Sequence, residues 1–126
     1  MTKLPHKEVN RFVAAANGLK EFFARDSHAR LHAIAALAAM AMGFILRIEA
    51  WEWAAIIFCI VLIICFEMLN TAIEVMCDFL EPGYSKPIKI IKDLAAGAVL
   101  ASALGSIIVA GLIFLPKITE ALFHLE

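Results

Sequence analysis

Five polar residues recur at helical spacing within a long apolar stretch of the chain. They lie at i, i+3, i+4, i+7 and i+11 and so share one face of a helix: Glu67, Asn70, Thr71, Glu74 and Asp78. A carboxylate inside a bilayer costs on the order of 2.5 kcal/mol or more, so such groups usually face a cavity and serve a function. An amide could hold helices together at a lower desolvation cost. Three carboxylates on one face therefore indicate a functional site.

The two glutamates of this face lie at different depths. The apolar segment begins near Ala54, and at about 1.5 Å per residue Glu67 lies roughly 20 Å along it, within a hydrocarbon core about 30 Å thick. Glu74 lies about 10 Å further on, at the interface. This separation is too large for one Mg²⁺, whose oxygen ligands lie about 2.1 Å away. We therefore expect separate roles for the two carboxylates and a second metal ligand from another segment, for which Asp26 is the nearest candidate.

The rest of the chain has the composition of a membrane protein. Its 126 residues are 63% hydrophobic with a mean hydropathy of +0.86, above the range of soluble domains. We predict an all-α fold in a single membrane domain, 1–126, with an N-terminal amphipathic surface helix and three transmembrane helices. The predicted bounds are 5–25 for the surface helix and 31–48, 53–80 and 94–115 for the spans, with Pro116 helping to end the last.

Basic residues are distributed unevenly between the two ends of the spans. Only Arg47 and Lys117 flank one end, and the remaining nine of the eleven flank the other. The positive-inside rule then places the N-terminus in the cytoplasm and the C-terminus outside. Net charge is −1 and no dense basic stripe occurs, which argues against a nucleic-acid partner. The residues that meet at the cytoplasmic interface are Asp26, Glu74, Asp78, Lys92 and Asp93, with Glu67 just below them in the membrane.

A cluster of carboxylates with a lysine suits a divalent cation, a phosphate and a lipid headgroup meeting at one plane. Phosphoryl transfer needs Mg²⁺ and cations to neutralise phosphate charge and a carboxylate to take the hydroxyl proton. The alternative from another class is a small proton- or cation-coupled transporter with Glu67 as its ion site. Such a transporter does not need the interfacial cluster, so the kinase interpretation is favoured.

His28 and His32 are four residues apart and could be read as part of a metal site. No cysteine or third ligand lies near them in the sequence. We therefore interpret both as polar residues at the membrane interface.

Two motifs resemble those of the small integral-membrane prokaryotic lipid kinases, the diacylglycerol kinase and undecaprenol kinase family. They are Glu67-x-x-Asn70-Thr71-Ala72-Ile73-Glu74-x-x-x-Asp78 and Lys92-Asp93-Leu-Ala-Ala-Gly-Ala-Val99. The resemblance covers about residues 11 to 115. It implies a homotrimer in the bacterial plasma (inner) membrane, with MgATP bound at the cytoplasmic interface and active sites shared between neighbouring subunits.

The resemblance also implies roles for individual residues. Glu67 would be the general base, and Asn70 would help to position it. Glu74 would bind the metal together with Asp26, which stands where the family normally has glutamate. The predicted nucleotide-binding residues are Glu74, Asp78, Lys92 and Asp93.

The first residues of the third span bear on the choice of lipid substrate. Ala95-Ala96-Gly97-Ala98 and, in the first span, His32 are more similar to the undecaprenol kinase branch than to the diacylglycerol kinase branch. We therefore predict undecaprenol as the substrate and its terminal hydroxyl as the phosphoryl acceptor. Diacylglycerol is the alternative substrate.

Overall fold

The computed structural model describes residues 10–25 and 27–123, except for the side chain of Arg25. These residues form four helices and no strand: α1 (Arg11–Arg25), α2 (Ser27–Ile45), α3 (Ala50–Leu80) and α4 (Lys86–Phe123). The last three are long and apolar enough to cross a membrane. The predicted all-α membrane architecture is therefore confirmed, while the first part of the predicted surface helix, 5–9, lies outside the described residues.

The first helix starts at an asparagine cap. The Asn10 side-chain oxygen accepts a hydrogen bond from the backbone N–H of Phe12 at 3.0 Å, which satisfies a donor that the first helical turn leaves unpaired. The helix continues without interruption through Asn17 and Gly18, a residue pair that often marks a turn. Its apolar residues are largely exposed, with Phe12 at 87%.

A tight turn joins α2 to α3 and brings the two helices together. The N–H of Ile48 donates to the Gly43 carbonyl at 3.1 Å, and Arg47 takes a left-handed backbone with φ of 50°. This is the Schellman arrangement that commonly ends a helix, with arginine where glycine is usual. A Cβ added at Gly43 would lie 2.8 Å from the Trp53 ring. Glycine at this position therefore allows the indole to pack directly on α2.

α3 and α4 form the principal helix contact, and α2 packs mainly on α3. The buried apolar cluster lies near the first half of α3 and consists of Ile48, Ile56, Ile113 and Phe114. Away from it, large apolar side chains remain exposed, as at Leu37 (67%) and Leu112 (73%). Such a surface is suited to contact with lipid or with other subunits, because exposing a large apolar surface to water is unfavourable.

Pro116, predicted to help end the third span, does not end the helix, because α4 continues to Phe123 with the proline inside it. Proline removes the N–H that would bond one turn earlier. The helix is held beyond this point by contacts with the rest of the bundle. Lys117 Nζ lies 3.1 Å from Glu52 Oε2 on α3, and Ile118 packs against the apolar cluster.

The observed helices also differ in length from the predicted spans. α2 begins at Ser27 and ends at Ile45, because the Schellman turn closes it before residue 48. α4 begins at Lys86, well before the predicted span at residue 94. Hydropathy marks the part of a helix that suits the bilayer, whereas polar residues can continue the same helix past that depth.

Candidate functional site

A groove opens between α2, α3 and α4 along the polar face of α3. Its volume is about 640 Å³. Three of the residues predicted from sequence line it together: Glu67, Asn70 and Glu74. The other lining residues are Ser27, His28 and His32 of α2, Thr71 and Val75 of α3, and Ala96, Val99, Leu100 and Ala103 of α4. The polar groups thus come from α2 and α3, and α4 supplies an apolar wall.

Glu67 is the deepest acidic residue of the groove. It is only 5% exposed, and its Oε1 lies 2.9 Å from Nε2 of His32 on α2. Burying a carboxylate is costly unless it is paired or hydrogen-bonded, and the imidazole supplies that partner. The interpretation of His32 as an interfacial polar residue is therefore corrected: it contacts the predicted base directly. No spacing within the sequence indicates this pairing, because it depends on how α2 lies against α3.

Asn70 makes a different contact from the one predicted. Its amide Nδ2 donates a hydrogen bond to Oε1 of Glu74 at 3.0 Å, whereas the prediction placed Asn70 beside Glu67. Four residues separate the two, which places them on neighbouring turns of the same face. The Asn70 Oδ1 atom is buried and has no hydrogen-bond partner among the described residues.

The remaining predicted nucleotide-binding residues lie beyond the groove lining. Lys92 Nζ of α4 lies 2.5 Å from Asp78 Oδ1 of α3. Asp93 pairs instead with Lys89, one turn earlier on α4, also at 2.5 Å. The Asp78–Lys92 pair lies about one helical turn from Glu74, toward the C-terminal end of α3. A phosphate group arriving there would find two lysine side chains that can exchange their carboxylate partners for it.

The described residues of one chain do not contain a group of three His, Cys, Asp or Glu side chains that could hold a metal ion. Asp26, the predicted second ligand, lies outside the described residues. Glu74 is exposed and offers carboxylate oxygen, the donor type that Mg²⁺ prefers. Because Mg²⁺ usually takes one or two protein carboxylates and completes its shell with phosphate and water, Glu74 fits such an ion as one ligand of the set.

A second, apolar cavity of about 340 Å³ adjoins the polar groove. His32 and Ala103 line both. The apolar cavity follows α3 back to Ile56, eleven residues before Glu67, a distance of roughly 16 Å along the helix. Its other walls are the alanines of α2 at 35, 36 and 39 and residues 106, 107 and 110 of α4. Glu67 lines only the polar groove, and its partner His32 lies where this groove meets the apolar cavity.

The sequence pattern of prokaryotic diacylglycerol kinases matches residues 13–114, which include every residue that lines the two cavities. The chain belongs to this family. It is 38% identical to the undecaprenol kinase of Bacillus subtilis (strain 168) over 115 residues, which cover 88% of this chain and 94% of that protein. It is 34% identical to the diacylglycerol kinase of Synechocystis sp. over 102 residues, which cover 80% of this chain and 58% of that protein.

Membership of the prokaryotic diacylglycerol kinase family confirms the predicted resemblance and the enzyme class, a lipid kinase. The three long apolar helices agree with a membrane location. The transporter alternative is not favoured, since both relatives are named as kinases.

Proposed function

We propose that this kinase transfers the γ-phosphoryl group of ATP to the terminal hydroxyl of undecaprenol at the cytoplasmic face of the bacterial plasma membrane. The observation that carries the proposal is the position of Glu67, a buried carboxylate of the polar groove that contacts His32 at the junction of this groove with the apolar cavity. A substrate that ends in one hydroxyl and continues as a long apolar chain matches that junction. The hydroxyl would meet Glu67 while the chain lies along α3.

Two observations favour undecaprenol over diacylglycerol. The relative named undecaprenol kinase is covered over 94% of its length, against 58% for the relative named diacylglycerol kinase. The alanines that line the apolar cavity on its α2 side also form a smooth wall, which suits a long isoprenoid chain. Diacylglycerol remains the alternative substrate, to be separated by experiment.

The chemistry assigned to Glu67 is general base catalysis. Its carboxylate accepts the proton of the lipid hydroxyl as the hydroxyl oxygen bonds to the γ-phosphorus of ATP. The bond from that phosphorus to the oxygen bridging the β- and γ-phosphates breaks, and ADP leaves with the electron pair. The products are the lipid phosphate and ADP, with the proton on Glu67. Burial restricts water at this carboxylate, so the lipid hydroxyl meets little competition from hydrolysis.

Glu74 and Asp26 are assigned to Mg²⁺, and Asp78, Lys92 and Asp93 to the nucleotide. Mg²⁺ would neutralise the charge that accumulates on the transferred phosphoryl group. The Asn70 amide holds one oxygen of Glu74 and leaves the other to act as a ligand. Lys92, only 32% exposed and already turned toward α3, is suited to reach a phosphate above Glu74.

A homotrimer with shared sites would complete this arrangement. The described residues of one chain do not supply a three-residue metal set, and large apolar side chains on α2 and α4 stay exposed. A neighbouring subunit could cover part of that surface and contribute the missing ligand. α1, with its exposed apolar residues, would lie on the cytoplasmic surface of the membrane beside the site.

A side-by-side transfer assay tests the proposal. Purified protein in mixed micelles is given ATP labelled at the γ-phosphate and either undecaprenol or diacylglycerol at the same mole fraction. Label should enter undecaprenol faster. Faster labelling of diacylglycerol would replace the substrate and leave the enzyme class intact. Labelling of neither lipid by protein that binds MgATP would overturn the proposed function.

A further inference from the structure

The Glu67 carboxylate needs a partner that fixes its direction. A glutamate side chain has several rotatable bonds, and a cavity of about 640 Å³ leaves it room to adopt more than one rotamer. Asn70, the neighbour expected to hold it, donates to Glu74 instead. The contact that the structure gives the carboxylate from another helix is with His32 Nε2, at 2.9 Å.

The geometry of this contact suits a donor that orients rather than reacts. At 2.9 Å, Nε2 of His32 is within hydrogen-bonding distance of Oε1 of Glu67, so an N–H at this nitrogen would donate to Oε1 and leave Oε2 to accept from a substrate. The His32 side chain is 22% exposed and that of Glu67 7%, so water competes weakly for the hydrogen bond. His32 also lines both cavities, so it lies beside the path on which the lipid hydroxyl would approach.

We infer that His32 is a positioning residue that holds the Glu67 carboxylate in the orientation needed to accept the lipid proton. The inference rests on the proposed function, because it takes Glu67 as the base. Misplacement of a reacting group by about 1 Å can cost on the order of 10²-fold in rate, so loss of this hydrogen bond should reduce kcat by about that factor. Binding of MgATP should be unchanged, because the phosphates are assigned to Glu74 and the residues beyond it.

The chain offers a matched control at the other end of α3. Glu52 Oε2 lies 3.1 Å from Lys117 Nζ, and the two side chains are 9% and 23% exposed, close to the values for Glu67 and His32. Both pairs join α3 to another helix through a buried carboxylate. Fifteen residues, or roughly 22 Å of helix, separate the two glutamates. Lys117→Met therefore removes a comparable buried pair at a distance from the site.

The experiment compares kcat, the KM for MgATP and the thermal unfolding midpoint in mixed micelles with undecaprenol. The variants are His32→Leu, His32→Gln, Lys117→Met and Glu67→Gln. His32→Leu should lose about 10²-fold in kcat at unchanged KM. His32→Gln, whose amide can still donate, should recover most of that loss. Lys117→Met should keep the wild-type kcat even where its midpoint falls.

Two results would overturn the inference while leaving the proposed function in place. One is a kcat of His32→Leu close to wild type while Glu67→Gln is inactive. The other is an equal loss of kcat in His32→Leu and His32→Gln that parallels the fall in their unfolding midpoints, with the same parallel seen in Lys117→Met. If His32→Leu does not fold, His32→Met takes its place in the comparison with His32→Gln. Full activity of Glu67→Gln would instead refute the proposed base and, with it, the inference.

Discussion

Lys92 Nζ of α4 lies 2.5 Å from Asp78 Oδ1 of α3, so two residues assigned to the nucleotide hold one another across the helix pair. A triphosphate would draw the ammonium group away from this exposed carboxylate, because phosphate oxygens are strong acceptors for cationic donors. The pair therefore keeps the lysine close to the site before the nucleotide arrives.

We predict that Lys92→Met raises the KM for MgATP by about tenfold, as expected for loss of a charge-assisted hydrogen bond. Lys86→Met removes an exposed lysine at the start of the same helix and should leave KM near wild type. Steady-state kinetics over a range of ATP concentrations measures both. An unchanged KM in Lys92→Met would remove this residue from the nucleotide site.

A second prediction concerns the pair at the opposite end of α3. Lys117→Met leaves Glu52 buried without its cation, so the thermal unfolding midpoint should fall. The double variant Glu52→Gln with Lys117→Met removes the stranded charge and should recover part of the loss. Differential scanning fluorimetry in micelles compares the three proteins. A double variant less stable than Lys117→Met would show that the carboxylate is not stranded without the lysine, because the Glu49 N–H that donates to it at 2.7 Å is a sufficient partner.

A third prediction isolates the backbone of Arg47. Its φ of 50° lies in the left-handed region, where glycine has no steric penalty and other residues are strained. Arg47→Gly and Arg47→Ala both remove the charge, yet the glycine variant should be more stable by about 1 kcal/mol. Unfolding in a graded denaturant series gives the difference. An alanine variant of equal or greater stability would mean that the turn can relax out of this conformation.

The helical content and the polar face of α3 could be predicted from sequence because both follow from local periodicity. Glu67, Asn70 and Glu74 share a face by spacing alone, and the structure places them in one groove. The contacts that cross between helices could not be predicted in this way. The pairing of His32 with Glu67 depends on how far α2 slides along α3, and no spacing within either helix fixes that position.

The continuation of α4 past Pro116 illustrates the same limit. The local rule for proline correctly describes the lost hydrogen bond. It does not include Lys117 and Ile118, whose partners on α3 and in the apolar cluster lie far away in the sequence. The partner of Asn70 also could not be predicted from spacing. From its position on the helix, Asn70 could have reached either Glu67 or Glu74.

A fourth prediction tests the proposed orientation in the membrane. In a background with Cys59, Cys65 and Cys77 replaced by alanine, Tyr84→Cys should react with an impermeant maleimide from the cytoplasm and Ala50→Cys from outside. Both positions are exposed at helix ends, and the motive is the nine-to-two distribution of basic residues. Labelling of intact cells and of inverted vesicles separates the two sides. The reverse pattern would place the groove on the side without ATP.

The division of labour between the two glutamates is the central claim. Glu67 is buried in the polar groove beside His32, whereas Glu74 is exposed beside Asn70. Glu67→Gln should therefore lose on the order of 10²- to 10⁴-fold in turnover, as for removal of a general base, without loss of nucleotide affinity. Glu74→Gln should weaken MgATP binding, because a neutral amide is a poor Mg²⁺ ligand beside phosphate.

Isothermal titration calorimetry of MgATP binding to Glu67→Gln, beside wild type and Glu74→Gln, tests this claim most directly. We expect wild-type affinity for Glu67→Gln despite its loss of turnover, and clearly weaker affinity for Glu74→Gln. An equal loss of MgATP affinity in the two variants would contradict it.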